Sequence, residues 1–361
     1  MVLIRIKEKK NLYVYMYTYR ESFTRGLRIP FHDFMGLLSL ECIAKNVIKK
    51  NDEIVYEILS DKEISWPLIC FKVDKNGKVF YRFVKLRDFD EDGNLRVDDF
   101  KEAYEVYLLE VKEVKEIYVP ILEELKNYKE KMDFEWIIES RCLEDHVRSH
   151  LSNPIGFLFE SIFLSRSSIL ASRLEEIKKR LYELWIIKLI CEALEIKKFK
   201  GHIFNGKPYW MVKERSEKSL CIGESKYGDI TIWFEFQPGM WAALPERFRG
   251  FITLTPDIVV VKGYYEETKK FIEEDYNTLR KPIDLLIECK EKMYTLGTTF
   301  QVSMYKSLFQ PLNTIVCSPY TFKENEKERM KKEGIKVFEN LNPNNKEATN
   351  NFCSFISEIF K

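Results

Sequence analysis

Alternating hydrophobic and polar positions predict β-strands in the first part of the chain. Residues 12–17 form an aromatic run with this period, and residues 53–59 repeat the pattern. Residues 69–73 and 78–86 are two more strand-like runs, and the Asn76-Gly77 pair between them is a strong short-range signal for a hairpin turn. The opening region is therefore expected to contain several strands.

Helical spacing appears at two places in the same region. One helix is predicted over residues 32–50. From about residue 100 the pattern becomes helical again, with Leu122, Leu125 and Tyr128 spaced by three. Mixed strand and helix signals of this kind predict an α+β domain.

A domain boundary is predicted at Ser152-Asn153-Pro154, because a proline disfavours helical backbone in the residue before it. The chain of 361 residues is long enough for two domains. We place the first at residues 1–153 and interpret it as a recognition or partner-binding domain, since it carries no catalytic motif. The second covers residues 154–361.

The second domain shows strands and helices in alternation. A long helix is predicted over residues 167–195, followed by short strands with turns at Asn205-Gly206 and Tyr227-Gly228. The later elements form a strand–helix–strand series that is typical of parallel crossover connections. These are strands at 231–236, 251–261, 282–289, 314–317 and 335–338, and helices at 298–309 and 323–332. The predicted class is α/β, with a mixed central sheet flanked by helices.

Composition narrows the class of protein. The 58 Lys and Arg residues against 57 Asp and Glu give a net charge of +1, so a strongly basic nucleic-acid-binding chain is excluded and any such contact must use a local patch. The eight scattered cysteines form no CxxC pair, which favours reduced thiols in the cytoplasm. No signal peptide or membrane span is predicted. Abundant Lys, Glu and Ile with three glutamines suggest a thermophilic source.

The sharpest chemical signal lies on two predicted strands. Asp257 follows Pro256 at one of them, and the other carries Glu288 and Lys290, which project to the same face because side chains alternate along a strand. If the strands are neighbours, two carboxylates and one ammonium group converge. Carboxylate oxygens suit Mg²⁺ or Mn²⁺, which would lower the pKa of a bound water, and Lys290 would orient that water.

Pro256-Asp257 followed by Glu288-Cys289-Lys290 resembles the PD-(D/E)xK signature of the restriction-endonuclease-like nuclease superfamily. The resemblance covers roughly residues 167–338. It implies a C-terminal restriction-endonuclease-like domain in which Asp257 and Glu288 hold Mg²⁺ or Mn²⁺ and Lys290 serves the attacking water. The expected activity is hydrolysis of phosphodiester bonds in DNA, and RNA is not excluded.

Two further sets of residues match this superfamily. Glu183 lies on the apolar stripe of the long helix, where a carboxylate is costly without a partner, and the resemblance makes it a third metal ligand. Gln301 and Tyr305 match a Gln-x-x-x-Tyr pattern on the helix after the lysine strand. Their spacing places both on one helical face, which suggests supporting contacts.

Within the superfamily the chain resembles the McrC-like branch, the nuclease partner of a GTP-driven restriction system. Tyr182-Glu183-Leu184-Trp185, residues 233–238 and Thr255-Pro256-Asp257 carry this likeness. It implies a role in restriction, antiviral defence or repair, and an AAA+ NTPase or helicase as partner. The branch more often has Asp where Glu288 stands.

Residues 88–99 form a second candidate metal site. Asp88, Asp90, Asp92 and Asp99 occupy the first, third, fifth and twelfth positions of an EF-hand loop, and Gly93 occupies the sixth. The preceding run reads as a strand where an EF-hand has a helix, so an acidic turn without an ion is favoured.

Alternatives to the nuclease remain open from sequence. In one, Asp257 is a turn residue, Glu288 and Lys290 form a surface cross-strand ion pair, and Glu183 is a rim residue. Another is a catalytically inactive nuclease-fold binding or scaffold subunit, against which the intact set of Asp257, Glu288 and Lys290 argues. An RNase is a further alternative.

Overall fold

We analysed a computed structural model of the chain. It describes residues 2–7, 11–22, 31–40, 44–50, 53–58, 68–76, 78–102, 112–138, 155–164, 168–213, 216–236, 255–271, 281–290 and 296–361. The protein has the mixed α/β architecture expected from its sequence, with several sheets. The predicted domain boundary at residues 152–154 lies outside the described residues.

The elements are numbered in chain order. The strands of the opening region are β1 Val2–Lys7, β2 Leu12–Ser22, β3 Phe31–Ser39, β4 Ala44–Lys50, β5 Glu53–Ile58, β6 Leu68–Val73, β7 Val79–Val84 and β8 Lys101–Glu102. The later strands are β9 Glu135–Ile138, β10 Lys198–Lys200, β11 Ile203–Phe204, β12 Lys207–Val212, β13 Cys221–Ser225, β14 Gly228–Phe234, β15 Ile258–Lys262, β16 Leu285–Cys289, β17 Thr314–Cys317 and β18 Lys336–Phe338. The helices are α1 Val119–Met132, α2 Ile155–Leu164, α3 Ser168–Ala193, α4 Thr268–Phe271, α5 Leu296–Phe309, α6 Glu324–Lys332 and α7 Lys346–Ile359.

The chain divides into two compact units. Unit 1 comprises residues 1–119 and 145–175, and unit 2 comprises residues 120–144 and 176–361. Unit 1 contains a five-stranded sheet in the order β3-β2-β6-β7-β8 and a three-stranded sheet in the order β1-β5-β4. The predicted hairpin is confirmed, because β6 and β7 pair antiparallel across the Asn76 turn.

The helix predicted over residues 32–50 is wrong, because this segment contributes the strands β3 and β4. β3 pairs along β2, with Ser39 opposite Tyr15, and β4 pairs along β5. Pairing with neighbouring strands outweighs helix propensity, which is worth only a few tenths of a kcal/mol per residue for ordinary side chains.

Unit 2 is built around a seven-stranded mixed sheet. Its order is β10-β13-β14-β15-β16-β17-β18. Neighbours from β10 to β16 run antiparallel, whereas β16, β17 and β18 run parallel and are connected through α5 and α6. These connections confirm the predicted strand–helix–strand series.

The core of unit 2 explains why the central strands read as apolar runs. All five residues of β16 and the first four of β15 are buried, as expected for strands covered on both faces. Trp233, Phe271 and Phe309 are among the large side chains that fill one side of this sheet. Of the helices in the described ranges, none has the apolar length needed to cross a lipid bilayer.

Gly263 directly follows β15 in a conformation that requires glycine. Its φ is +128°, and a Cβ there would lie 2.6 Å from the ring of Tyr265, which packs against Phe271. Gly228, which begins the neighbouring strand, has φ +95° but open space around the position of a Cβ.

We expect Gly263→Ala to lower the free energy of unfolding by more than Gly228→Ala. Both substitutions force a side chain into an unfavourable backbone region at a cost of about 1–3 kcal/mol, and Gly263→Ala additionally displaces Tyr265. Urea denaturation of the two variants and the parent measures the difference. Equal losses would contradict this account of Gly263.

Candidate active site

Three carboxylates lie in a row beside the ends of β14, β15 and β16, which are the middle strands of the seven-stranded sheet of unit 2. The antiparallel registers pair Phe234 with Ile258 and Ile258 with Ile287. One residue further along, Asp257 lies opposite Glu288, and residues directly opposite each other in antiparallel strands point to the same face. Glu235 directly follows β14, and its backbone N–H donates a hydrogen bond of 2.8 Å to the carbonyl of Asp257.

Asp257 is the most heavily bonded member of this row. Its side chain is 4% exposed. The backbone N–H of Cys289 donates a hydrogen bond of 2.7 Å to Asp257 Oδ2, and Lys179 Nζ donates one of 3.0 Å to Asp257 Oδ1. Both oxygens of this buried carboxylate are therefore satisfied, one from β16 and one from α3.

Helix α3 supplies the fourth carboxylate. Glu183 is fully buried, and the carboxylate faces two cations of its own helix. Its Oε1 lies 3.2 Å from Lys179 Nζ, and its Oε2 accepts a hydrogen bond of 3.0 Å from Arg180. Arg180 also forms an ion pair with Glu235. The spacings i, i+3 and i, i+4 place all three side chains on one helical face.

Lys290 pairs with Glu288 at the end of β16. Its Nζ donates to Glu288 Oε1 at 2.5 Å, as expected for residues two apart on one face of a strand. The Lys290 side chain is 20% exposed, whereas Glu288 is almost completely buried. The lysine therefore lies on the solvent side of the carboxylate.

Burial and neighbouring charges together shift the pKa values of these carboxyl groups in different directions. Burial and the neighbouring charge of Asp257 raise the pKa of Glu288 to about 8, although Lys290 opposes the shift. Burial likewise raises the pKa of Glu183 to about 7, against the effect of Lys179 and Arg180. For Asp257, burial acts in the same sense but is outweighed by Lys179, Lys290 and the Cys289 N–H, so its pKa is lowered. Of these three carboxyl groups, Asp257 is thus the one whose pKa is lowered.

Gln301 and Tyr305 form hydrogen bonds with each other and with the backbone that precedes Asp257. Gln301 Nε2 donates to Tyr305 Oη at 2.6 Å, which places both residues on one face of α5. Tyr305 Oη donates to the backbone carbonyl of Thr255 at 3.2 Å. Since Thr255 lies two residues before Asp257, this contact fixes the backbone that presents the carboxylate.

The acidic loop at residues 88–99 uses its carboxylates within the protein. Asp88 accepts from the backbone N–H of Lys85, Asp90 accepts from Asn94, and Asp99 forms an ion pair with Arg82. Strand β7 precedes the loop, where an EF-hand would have a helix. Asp92 contributes its backbone carbonyl, which accepts a hydrogen bond from Arg5.

The donor set at the candidate site suits a divalent cation, although lysines separate the donors. Glu183 Oε1 and Glu288 Oε2 are buried and have no hydrogen-bond partner within the described part of the chain. Buried carboxylate oxygens that accept no hydrogen bond are what a hard cation needs. Within the same residues, no group of three or more His, Cys, Asp or Glu side chains is arranged to hold a metal ion, and this includes the loop at 88–99.

Sequence reasoning missed Lys179, Arg180 and Glu235. Glu235 stands out in the sequence as a charge in an otherwise apolar run, and its φ of +45° is unusual for a residue other than glycine. Lys179 and Arg180 precede Glu183 by four and three residues, the distance at which helical side chains meet. Either signal would have extended the predicted set.

Comparison with known proteins returns no match: no protein-family model, no curated protein sequence and no solved structure is detectably similar to the chain.

We expect the stability of Glu288→Gln relative to the parent protein to increase between pH 5 and pH 8. The parent's folded state retains the Glu288 proton up to about pH 8, whereas the unfolded state releases it near pH 4.5. Stability from this proton is fully present below the lower pKa and is lost as the pH rises through the higher one. Glutamine does not titrate, so the difference should change by at least about 1 kcal/mol.

Urea denaturation in a buffer that contains a metal chelator measures this effect at each pH. Only the change with pH is informative, since the loss of the Lys290 contact adds a constant offset. A difference that stays the same from pH 5 to pH 8 would show that Glu288 titrates normally.

Proposed function

We propose that the protein is a metal-dependent nuclease that hydrolyses phosphodiester bonds of DNA, and that unit 2 is a restriction-endonuclease-like domain. The observation that supports this most is the convergence of Glu183, Asp257, Glu288 and Lys290 beside the ends of two central strands. These residues come from a helix and two strands that are far apart in sequence. They are also the residues in which the chain resembles the PD-(D/E)xK superfamily.

The burial of this set argues against a surface ion pair. Glu183, Asp257 and Glu288 are each at most 3% exposed. Burying several carboxylates is costly even when cations compensate them, and a hydrophobic set of similar volume is often at least as stable. A fold that retains such a set gains something other than stability from it. Metal binding and hydrolysis are functions that require these residue types.

Asp257, Glu288 and Glu183 would hold Mg²⁺ or Mn²⁺, with Glu183 Oε1 and Glu288 Oε2, which accept no hydrogen bond within the described residues, among the ligands. When bound, the cation would offset the negative charge of the scissile phosphate. Lys290 lies on the solvent side of Glu288, where its ammonium group can orient an attacking water and stabilise the developing charge. Tyr305 and Gln301 would keep Asp257 in position through Thr255.

The small net charge of the chain favours delivery of the DNA to the site by something other than long-range electrostatic attraction. A net charge of +1 gives weak long-range attraction to a polyanion, and the site itself contains four carboxylates against three cationic side chains. We propose that unit 1 or a partner with NTPase activity, of the AAA+ or helicase type, brings the DNA to the site. We therefore expect the isolated chain to cleave DNA slowly, and to need low salt to do so.

We expect Asp257→Ala and Lys290→Ala each to reduce the rate of DNA cleavage by about 100-fold or more. The assay uses plasmid and single-stranded DNA with Mg²⁺ or Mn²⁺, and the matched RNA tests the alternative substrate. A chelator should abolish cleavage in the parent protein. Activity that survives both substitutions would locate the reaction elsewhere, and absence of cleavage in the parent would favour a binding subunit.

Glu224→Ala provides a matched control for these variants. Glu224 is a partly exposed glutamate on β13 of the same sheet and pairs with Lys200 at 2.8 Å. The substitution removes this pair and the one with Lys198 without touching the site, so the cleavage rate should remain near that of the parent. The thermal stability of all three variants separates loss of chemistry from loss of fold.

A further inference from the structure

Lys179 lies between two of the carboxylates that would hold the cation. Its Nζ is 3.0 Å from Asp257 Oδ1 and 3.2 Å from Glu183 Oε1. These two residues come from different elements, and the ammonium group is the link between them. A positive charge already occupies the space between the donors.

The Lys179 ammonium group donates a hydrogen bond to one of the two neighbouring carboxylates and not to the other. It donates a hydrogen bond to Asp257, but Glu183 Oε1 receives only a close electrostatic contact and has no hydrogen-bond partner in the described ranges. Glu288 Oε2 is also buried without one. A lysine has three donors on one small centre, and here Glu183 Oε1 is held by the ion pair with Lys179 alone, without a hydrogen bond.

We propose that Lys179 is an internal cation that holds Glu183 and Asp257 together in the metal-free protein, and that a divalent cation binds by displacing its ammonium group. The inference rests on the proposed function, because it concerns the same carboxylates. Two positive charges at this spacing repel each other strongly in a site of low dielectric constant, so the lysine and the ion cannot share the space.

Lys179 and Arg180, the two cations of α3 that pair with Glu183, differ in how readily each can move away from it. The Arg180 side chain is 8% exposed and is held between Glu183 and Glu235. The Lys179 side chain is 34% exposed and ends a flexible four-carbon stem, so its ammonium group can move into water. Lys179 is therefore the displaceable cation, and Arg180 is the permanent one.

The proposal predicts that Lys179→Met binds Mn²⁺ at least tenfold more tightly than the parent, as measured by isothermal titration calorimetry on the full chain without DNA. Methionine keeps the length of the side chain and removes the charge. Lys179→Arg retains a positive charge and should bind within about threefold of the parent. Asp257→Ala should bind poorly. If Lys179→Met does not fold, Lys179→Gln takes its place in the same titration.

Lys188→Met is the matched control. Lys188 lies on the same helix, is similarly paired with two glutamates, Glu124 and Glu192, and carries the same charge. Its loss changes the net charge equally but should leave the Mn²⁺ affinity unchanged. A comparable gain in both variants would show a general charge effect and would overturn the displacement.

The remaining outcomes separate this inference from the function on which it rests. Binding by the parent with no gain in Lys179→Met overturns the displacement but leaves the metal site intact. Binding by Lys179→Met alone supports the displacement in its strongest form. Absence of binding in every variant overturns the metal site and the displacement together.

Discussion

The burial of the Asp257 carboxylate between a helix and a sheet is the constraint on which the candidate site depends. An isolated ionised carboxylate cannot be removed from water without large cost, so donors must meet it wherever the fold places it. The N–H of Cys289 and the ammonium group of Lys179 do so, and they lie on different elements. The pairing of β15 with β16 and the placement of α3 over the sheet are thereby tied to one side chain.

The other charges follow from this arrangement. Lys179 brings Glu183 towards Asp257, Arg180 compensates Glu183 and Glu235, and Lys290 compensates Glu288. Each carboxylate has at least one cation near it, yet the compensation is incomplete, as the raised pKa values of Glu183 and Glu288 show. A site in this condition favours either protonation or the arrival of a further positive charge.

Sequence reasoning found the elements whose signal is local and missed what depends on tertiary contact. Asp257, Glu288 and Lys290 were predictable as neighbours because a polar residue in an apolar strand is conspicuous and strand geometry has a simple period of two. The same reasoning placed the long helix that carries Glu183. Lys179 and Arg180 have the helical spacing to Glu183, but such spacings are common in a chain in which a third of the residues are charged. Their importance comes from the sheet beneath them.

At residues 31–50 the local pattern predicted the wrong type of element. Its local composition is compatible with a helix, but its backbone hydrogen bonds go to β2 and β5. Pairing partners that lie elsewhere in the chain are invisible to a reading of local pattern. The loop at residues 88–99 illustrates a related limit, since a string of acids matches an ion-binding template while its oxygens accept hydrogen bonds from the protein.

The antiparallel register of β14, β15 and β16 limits which insertions these strands can accept. A shift of one residue in either pairing would turn Asp257 or Glu288 to the opposite face and separate the row. The strands can therefore exchange apolar side chains of similar volume, but they tolerate no single-residue insertion between Asp257 and the end of β15, or within β16. The residues that follow β15 are constrained differently, because Gly263, Tyr265 and Phe271 are fixed by backbone conformation and packing and not by the period of a strand.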